Sequence, residues 1–282
     1  MKNNENRIKN LKILLIVFLV SLPFWWGVNV FQANLENYFY AQIGQPFEEI
    51  NILQIPERIQ RPPLELDAKA AISVFIDYQG SEKVLFEKDA DRPLPIASLT
   101  KLMTASIFLK YYDIETEETV KLLLSLLIES DNEAADDLAA IIGEDSFLGL
   151  MNSGAKELGM GNTYFTNPNG LDPKEPDESL NYSTAKDLMK LSKYITSEQP
   201  LLWEISTIQE LEGMKNTNDL LGQIPGIIGG KTGETPLAGK CLILVVQTSK
   251  NKGFLVNVIL NSENRFEEMK KLIRWAGNAY RW

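Results

Sequence analysis

The chain of 282 residues contains no histidine and one cysteine, Cys241. The first absence excludes a Ser-His-Asp triad, a Cys-His pair and any imidazole metal site. The second excludes an intrachain disulfide and a multi-cysteine zinc site. Positive charge is scarce as well: 28 Lys plus Arg stand against 38 Asp plus Glu, a formal charge of −10. Such a chain lacks the basic face with which a protein displaces counterions from nucleic acid. No metal, cofactor or nucleic-acid partner is expected, and any chemistry falls to Ser, Thr, Lys, Asp, Glu, Asn and backbone groups. At 44% hydrophobic and 23% charged residues, the composition is that of a folded globular chain. Internal repeats and low-complexity tracts are absent.

One long uncharged run stands out. Lys2, Arg7, Lys9 and Lys12, opposed only by Glu5, precede the stretch from Ile13 to Leu35, which exceeds the roughly 20 residues a membrane span requires. Basic residues before it, with Glu36, Glu48 and Glu49 after it, orient residues 1–12 inside and the remainder outside. The rival is a cleaved signal, which favours small residues in an A-x-A pattern; Phe31 and Phe39 stand two positions before Ala33 and Ala41. Both readings export the body of the protein. From residue 36 to 68 the pattern is irregular and broken by Pro46, Pro56, Pro62 and Pro63, which reads as a stalk or a segment draped over the domain.

A compact pattern begins at Lys69. Ala71–Asp77 and Lys83–Glu87 are apolar, β-branched runs joined by Tyr78-Gln79-Gly80-Ser81-Glu82, a hairpin signal. A mostly helical middle spans about 98–202, with breaks at Asp113, Ser130 and the Asn167–Asn181 loop. Strands return at Gly239–Ser249 and Gly253–Leu260, and a helix from Glu263 to about Ala279 buries Phe266, Met269, Leu272, Ile273 and Ala276 on one face. Strands at both ends with helices between them imply an α+β fold, one antiparallel sheet assembled from both ends and flanked by helices, with a helical lobe.

Three short motifs carry chemistry. In Ser98-Leu99-Thr100-Lys101, opening the apolar helix Leu102–Leu109, serine and lysine at i and i+3 share a helix face. A desolvated neutral lysine can take the proton of a serine nucleophile without histidine, and free N–H groups at a helix start can stabilise an oxyanion. The bland alternative is a capping serine with a solvated lysine. In Ser130-Asp131-Asn132, between two helices, the bland alternative is a capping box of Ser130 with Glu133. In Lys231-Thr232-Gly233, after Gly229-Gly230 and before a strand, it is a turn with an exposed lysine. A phosphate loop would need glycine where Pro225 stands and a helix where Gly239–Ser249 reads as strand.

Together the three motifs match the signature shared by class A β-lactamases and penicillin-binding proteins. Asp77–Ala105, Asn167–Asp172, Tyr182–Leu188 and Gly229–Gly233 leading to Ala238-Gly239 resemble the D-alanyl-D-alanine carboxypeptidases of the low-molecular-mass penicillin-binding proteins, over roughly Lys69 to Trp282. The resemblance implies a β-lactamase/transpeptidase-like fold with the active site between sheet and helical lobe. It implies Ser98 as acylated nucleophile, Lys101 as general base and Ser130 as proton relay. Asn132 would hold the substrate amide, and Lys231 and Thr232 its terminal carboxylate, with Lys231 also keeping Lys101 neutral by repulsion. The backbone N–H groups of Ser98 and Glu234, the latter following Gly233, would form an oxyanion hole. Peptidoglycan stem peptides and β-lactam antibiotics are the implied partners, and the implied rivals are a DD-endopeptidase, a weak β-lactamase and an inactive wall-peptide-binding relative. The domain plan is a cytoplasmic tail (1–12), a transmembrane anchor or signal (13–35), a linker (36–68) and a serine DD-peptidase domain (69–282), outside the cell membrane.

The chain departs from the family pattern in several places. The segment between Ser98 and Ser130 is short, so part of the cleft rim is expected to be missing. Asp131 stands where this family usually has glycine, and Asn169 and Asn181 where many relatives carry histidine. Glu234 puts a carboxylate beside a carboxylate-binding site, tolerable only if it points away. Glu175–Asn181 reads as a solvated acidic loop, Cys241 as a core residue, and Trp275 and Trp282 as packing.

Overall fold

The apolar runs near both ends of the 69–282 region meet in one antiparallel sheet. A computed structural model describes residues 21, 56–59, 62–112, 114, 116–175, 179–248 and 252–281; apart from Ser21 these fall in one unit, Ile55–Trp282. The expected tail 1–12, the expected span 13–35 other than Ser21, and residues 36–55 lie outside the described residues. Among the described residues no helix is long and apolar enough to cross a membrane.

In chain order the strands are β1 (Glu57–Arg58), β2 (Ala70–Asp77), β3 (Glu82–Lys88), β4 (Leu94–Pro95), β5 (Tyr182–Ser183), β6 (Glu210–Leu211), β7 (Met214–Lys215), β8 (Ile227–Thr235), β9 (Gly239–Gln247), β10 (Gly253–Ser262) and β11 (Tyr280–Arg281). The helices are α1 (Thr100–Tyr111), α2 (Glu117–Ile128), α3 (Asn132–Ile142), α4 (Glu144–Glu157), α5 (Ala185–Glu198), α6 (Pro200–Ser206) and α7 (Arg265–Ala279), with a 3₁₀ turn at Ala97–Leu99. The main sheet has the order β3-β2-β10-β9-β8, so the two chain ends join where β2 pairs with β10.

Alternation along the central strands divides two cores. Ile72, Val74 and Ile76 of β2, Ile243 and Val245 of β9 and Val256 and Val258 of β10 face the helical lobe. Leu242, Leu244, Val246 and Ile259 face the other way, onto Met269 and Leu272 of α7. Both faces being covered, β10 reads as a continuous apolar run rather than an alternating one. Inside the lobe, α1 is buried on all sides from Thr100 to Phe108, as a helix apolar around its circumference must be. Cys241 is buried in the lobe-side core. Trp275 packs edge-on against Phe86 and Tyr280, the structural role expected of it.

Two sequence expectations need correction. Lys231-Thr232-Gly233 is no turn: Ile227–Thr235 is a full strand, and β8 forms the sheet edge. Its glycines hid it, because glycine depresses strand propensity, yet each is required. A Cβ at Gly229 would lie 2.4 Å from the Trp203 ring, and one at Gly230 2.9 Å from Asn218 Nδ2. The second correction concerns the middle of the chain, where Gly143 separates α3 from α4 and Pro200 opens an additional helix, α6.

Of the two readings of 36–68, its described part is draped. β1 pairs with β11, and the Trp275 indole donates to Pro62 O at 3.0 Å. The buried Glu268 of α7 accepts from the backbone N–H groups of Asp67 and Ala68 and from the Ser262 hydroxyl. It thereby ties the lead-in to β2, the end of β10 and α7 together. Replacing it with alanine removes the acceptor of all three and strands the buried Ala68 N–H and Ser262 hydroxyl, at about 1–3 kcal/mol for each donor left unpaired in the interior. Glu268→Ala should therefore lower unfolding stability by about 3 kcal/mol in a urea titration; a change within ±0.5 kcal/mol would show that water replaces the carboxylate.

Candidate active site

The three motifs converge beside the β8 edge. Ser98 sits in the 3₁₀ turn, two residues before the start of α1, so that Lys101 falls in the first turn of a buried helix. Residue 97 has a left-handed backbone, φ 47°, which turns the chain into that helix. Lys101 is fully buried, and its Nζ has three oxygen neighbours: Ser98 Oγ at 2.9 Å, Asn132 Oδ1 at 2.7 Å and the backbone carbonyl of Asn169 at 2.6 Å. Burial pulls the Lys101 pKa down to about 8, while Asp136 and Asp131 act in the opposite direction.

Between α2 and α3, the structure decides against the capping-box reading of Ser130. Asp131 is the N-cap of α3, accepting from Glu133 N–H at 3.0 Å. Ser130 is left with a left-handed backbone, φ 65°, and its Oγ accepts from Lys231 Nζ at 2.7 Å. A non-glycine residue in that region is uncommon and costs energy unless its surroundings hold it. Asp131 thus supplies the cap that the serine does not.

Lys231 is 1% exposed, not a turn lysine. Its Nζ also reaches its neighbour's carbonyl, Thr232 O, at 3.1 Å. Burial pushes its pKa well below the usual lysine value, and the positive charges of Lys101 and Arg265 push the same way. Repulsion between the two buried lysines acts on both and adds to the desolvation that lowers each. The Thr232 hydroxyl shares a hydrogen bond with that of Thr217. Gly233 lets β8 approach the nucleophile turn: a Cβ there would lie 2.9 Å from Ile96 O and 3.1 Å from Ser98 N. Glu234 points away, as its position demands, and its exposed carboxylate meets Arg265 Nη1 at 3.0 Å.

Sequence reasoning missed Thr217, Arg265, Asp136 and the carbonyl of Asn169. Arg265 also donates to Gly233 O at 3.1 Å, but a helix-start arginine far down the chain carries no local signal. Asp136 was findable, since it lies one turn beyond Asn132 on α3 and so on the same face. The loop at 167–172 is held by Asn181, whose side chain accepts from the N–H groups of Thr166 and Asn167 and donates to Thr100 Oγ1 at 3.0 Å. Among the described residues no cluster of acidic or sulfur side chains could hold a metal.

Comparison with known proteins converges on this site. A family model described as D-alanyl-D-alanine carboxypeptidase matches residues 57–121 and 107–264. The chain belongs to the D-alanyl-D-alanine carboxypeptidase family. It is 32% identical over 256 residues to a D-alanyl-D-alanine endopeptidase of Pseudomonas aeruginosa, covering 76% of this chain and 79% of that one. It is 32% identical over 254 residues to the D-alanyl-D-alanine carboxypeptidase DacC of Escherichia coli, covering 74% of this chain but only 61% of that one. Among solved structures, penicillin-binding protein D2 from Listeria monocytogenes in its cefotaxime-bound form superposes with a TM-score of 0.67 at 30% identity, over 77% of this chain and 99% of that one. The α+β fold with its antiparallel sheet is thus that of the penicillin-binding, transpeptidase-like proteins.

The joint between loop and nucleophile turn is the most confined part of the site. Gly170 has φ 84°, and a Cβ there would stand 2.1 Å from Ala97 O. Gly170→Ala must displace the turn that carries Ser98 by a sizeable fraction of an ångström. A misplacement of that order costs on the order of 100-fold in rate. The acylation rate by a β-lactam should fall by about that factor while the protein remains folded by circular dichroism; wild-type acylation would mean that the loop gives way instead.

Proposed function

We propose that the protein is a serine-type D-alanyl-D-alanine carboxypeptidase that removes the terminal D-alanine from peptidoglycan stem peptides and is acylated by β-lactams on Ser98. One observation carries this reading. Of the three oxygens around Lys101 Nζ, those of Asn132 and Asn169 are carbonyls that can only accept, whereas Ser98 Oγ can also donate. A neutral amine has two N–H bonds and one lone pair. Spending both N–H bonds on the two carbonyls leaves the lone pair aimed at the Ser98 hydroxyl proton.

The steps follow from this arrangement. Ser98 Oγ attacks the carbonyl of the penultimate residue as its proton passes to Lys101, and the oxyanion forms between the N–H groups of Ser98 and Glu234. The C–N bond breaks as the proton taken up by Lys101 is delivered to the leaving amine through the Ser130 hydroxyl, which Lys231 holds, so that Lys101 is neutral again. Water then hydrolyses the ester, with Lys101 again as base, and free acid and enzyme are regenerated. Asn132 offers its amide to the substrate backbone, and Lys231 and Thr232 bind the terminal carboxylate. The outward Glu234, paired with Arg265, keeps negative charge off that position. The endopeptidase reading is favoured by the name of the Pseudomonas aeruginosa relative, which matches the chain over a larger share of its own length than the carboxypeptidase DacC does.

A peptide ending in D-Ala-D-Ala, as free acid and as amide, separates the two. The acid should be cleaved about 10- to 100-fold faster, the worth of one or two charge-assisted bonds; equal rates would transfer the assignment to the endopeptidase. Fluorescent penicillin should label wild type and not Ser98→Ala. Because only neutral Lys101 can accept the proton, acylation should rise with pH through the Lys101 pKa of about 8, and a rate flat across that region would remove Lys101 as base.

The same proposal places the catalytic domain outside the cell membrane on a single span at 13–35, supported by the uncharged run and its basic inner flank. The full-length protein should then remain in the membrane fraction after a high-salt wash and begin at or near Met1. A soluble form beginning near Asn34 or Gln42 would identify the segment as a cleaved signal.

A further inference from the structure

We infer that Asp136 is a positioning residue of this active site: by gripping the Asn169 side chain it fixes the Asn169 carbonyl on Lys101, and its negative charge governs when that lysine acts as base. The inference rests on the proposed role of Lys101. Its geometry is a three-link chain. Asn169 Nδ2 donates to Asp136 Oδ1 at 2.8 Å and lies 3.1 Å from Asp136 Oδ2. Asn169 Oδ1 accepts from Leu171 N–H at 2.9 Å, and Asn169 O accepts from Lys101 Nζ at 2.6 Å. The asparagine is thereby held at both side-chain ends, so its main-chain oxygen has little freedom.

That oxygen is one of the two obligate acceptors that direct the lysine lone pair. If it swings away, a neutral Lys101 must place an N–H on Ser98 Oγ or leave one unpaired in a buried site, and in the first case it cannot accept the serine proton. α3 therefore supplies two separate controls on the base. Asn132 touches it directly, and Asp136, one turn later, acts through the loop.

The charges around both groups set the direction of the electrostatic effect. Lys101 faces Asp136 and Asp131, and its own charge bears on Lys231 of β8. Asp136 faces Lys101, its neighbour Asp137 and Glu144 of α4. Desolvation raises the Asp136 pKa, while the Asn169 bond and Lys101 lower it. An ionised Asp136 favours the ammonium form of Lys101, opposing burial; removing the charge while keeping an acceptor must lower the lysine pKa further and increase the neutral fraction at low pH.

The test is the pH profile of penicillin acylation of the full-length protein, across the region around the Lys101 pKa of about 8. Asp136→Asn retains an oxygen for Asn169 and loses the charge. Its acid limb should move down by roughly half a unit, about a threefold gain in rate on that limb, with the plateau little changed. Asp136→Ala loses the grip as well, and its plateau should fall by about 10-fold without a matching loss of penicillin affinity. Asp137→Asn, altering an exposed neighbour on the same helix, should superimpose on wild type. An Asp136→Asn profile identical to wild type, or an equal shift in Asp137→Asn, overturns the electrostatic role. An Asp136→Ala plateau equal to wild type overturns the positioning role, and should that variant be too unstable to assay, Asp136→Ser, too short to hold Asn169, replaces it with the same two outcomes. Wild-type protein that penicillin does not acylate would sink the underlying reading instead, a result distinct from any of these.

Discussion

A buried amine must find an oxygen for every N–H it carries, and that requirement organises this molecule. Lys101 is buried away from bulk solvent, and its oxygen neighbours come from three separate parts of the chain. Asn132 comes from the start of α3, Asn169 from the loop beside α1, and Ser98 from the turn that precedes its own helix. Each element owes its placement to packing elsewhere. α1 is enclosed on all sides, the loop is bound to it through Thr100 and Thr104, and α3 is held by its Asp131 cap. The same burial that makes the lysine a base at moderate pH makes its surroundings costly to disturb.

The sheet meets this lobe along β8, and glycine sets how closely. Gly229 and Gly230 admit Trp203 and Asn218 against the strand, and Gly233 admits the nucleophile turn. A side chain at any of them would open the gap between Lys231 and Ser130, now 2.7 Å. At this edge sheet and lobe meet through close backbone contacts, in addition to the apolar core they share, and the polar side chains of β8 line an edge strand along which an extended peptide can lie.

Much of this was legible before any coordinates. The apolar runs at Ala71–Asp77, Gly239–Ser249 and Gly253–Leu260 announced a sheet built from both ends, because such runs need partners and the segment between them reads as mostly helical. Ser98 and Lys101 were readable because i, i+3 spacing on a helix has one geometric meaning. β8 was not readable as a strand, since its glycines answer to tertiary neighbours that local pattern does not contain. The role of Ser130 was ambiguous for a related reason: serine followed three residues later by glutamate is a sound capping box, and only the side chain of Asp131, which took the cap, displaced it. Arg265 and Thr217 reach the site from remote segments and leave no spacing to detect.

The absence of histidine sharpens the role of the residues that replace it. The loop beside the base carries Asn169 and Asn181, amides that cannot titrate near neutrality. Asn181 has become a purely structural hub, its oxygen and nitrogen shared among Thr166, Asn167 and Thr100. Asn169 has its amide nitrogen on a carboxylate and its carbonyl on the base. A titratable group, Asp136 of α3, therefore stands one hydrogen bond beyond the asparagine that touches the lysine. The base then responds to pH through its own desolvation and through a partly exposed aspartate, whose influence weakens with ionic strength because solvent screens it. Burial sets the range in which such a site works, and surface charge on α3 trims it.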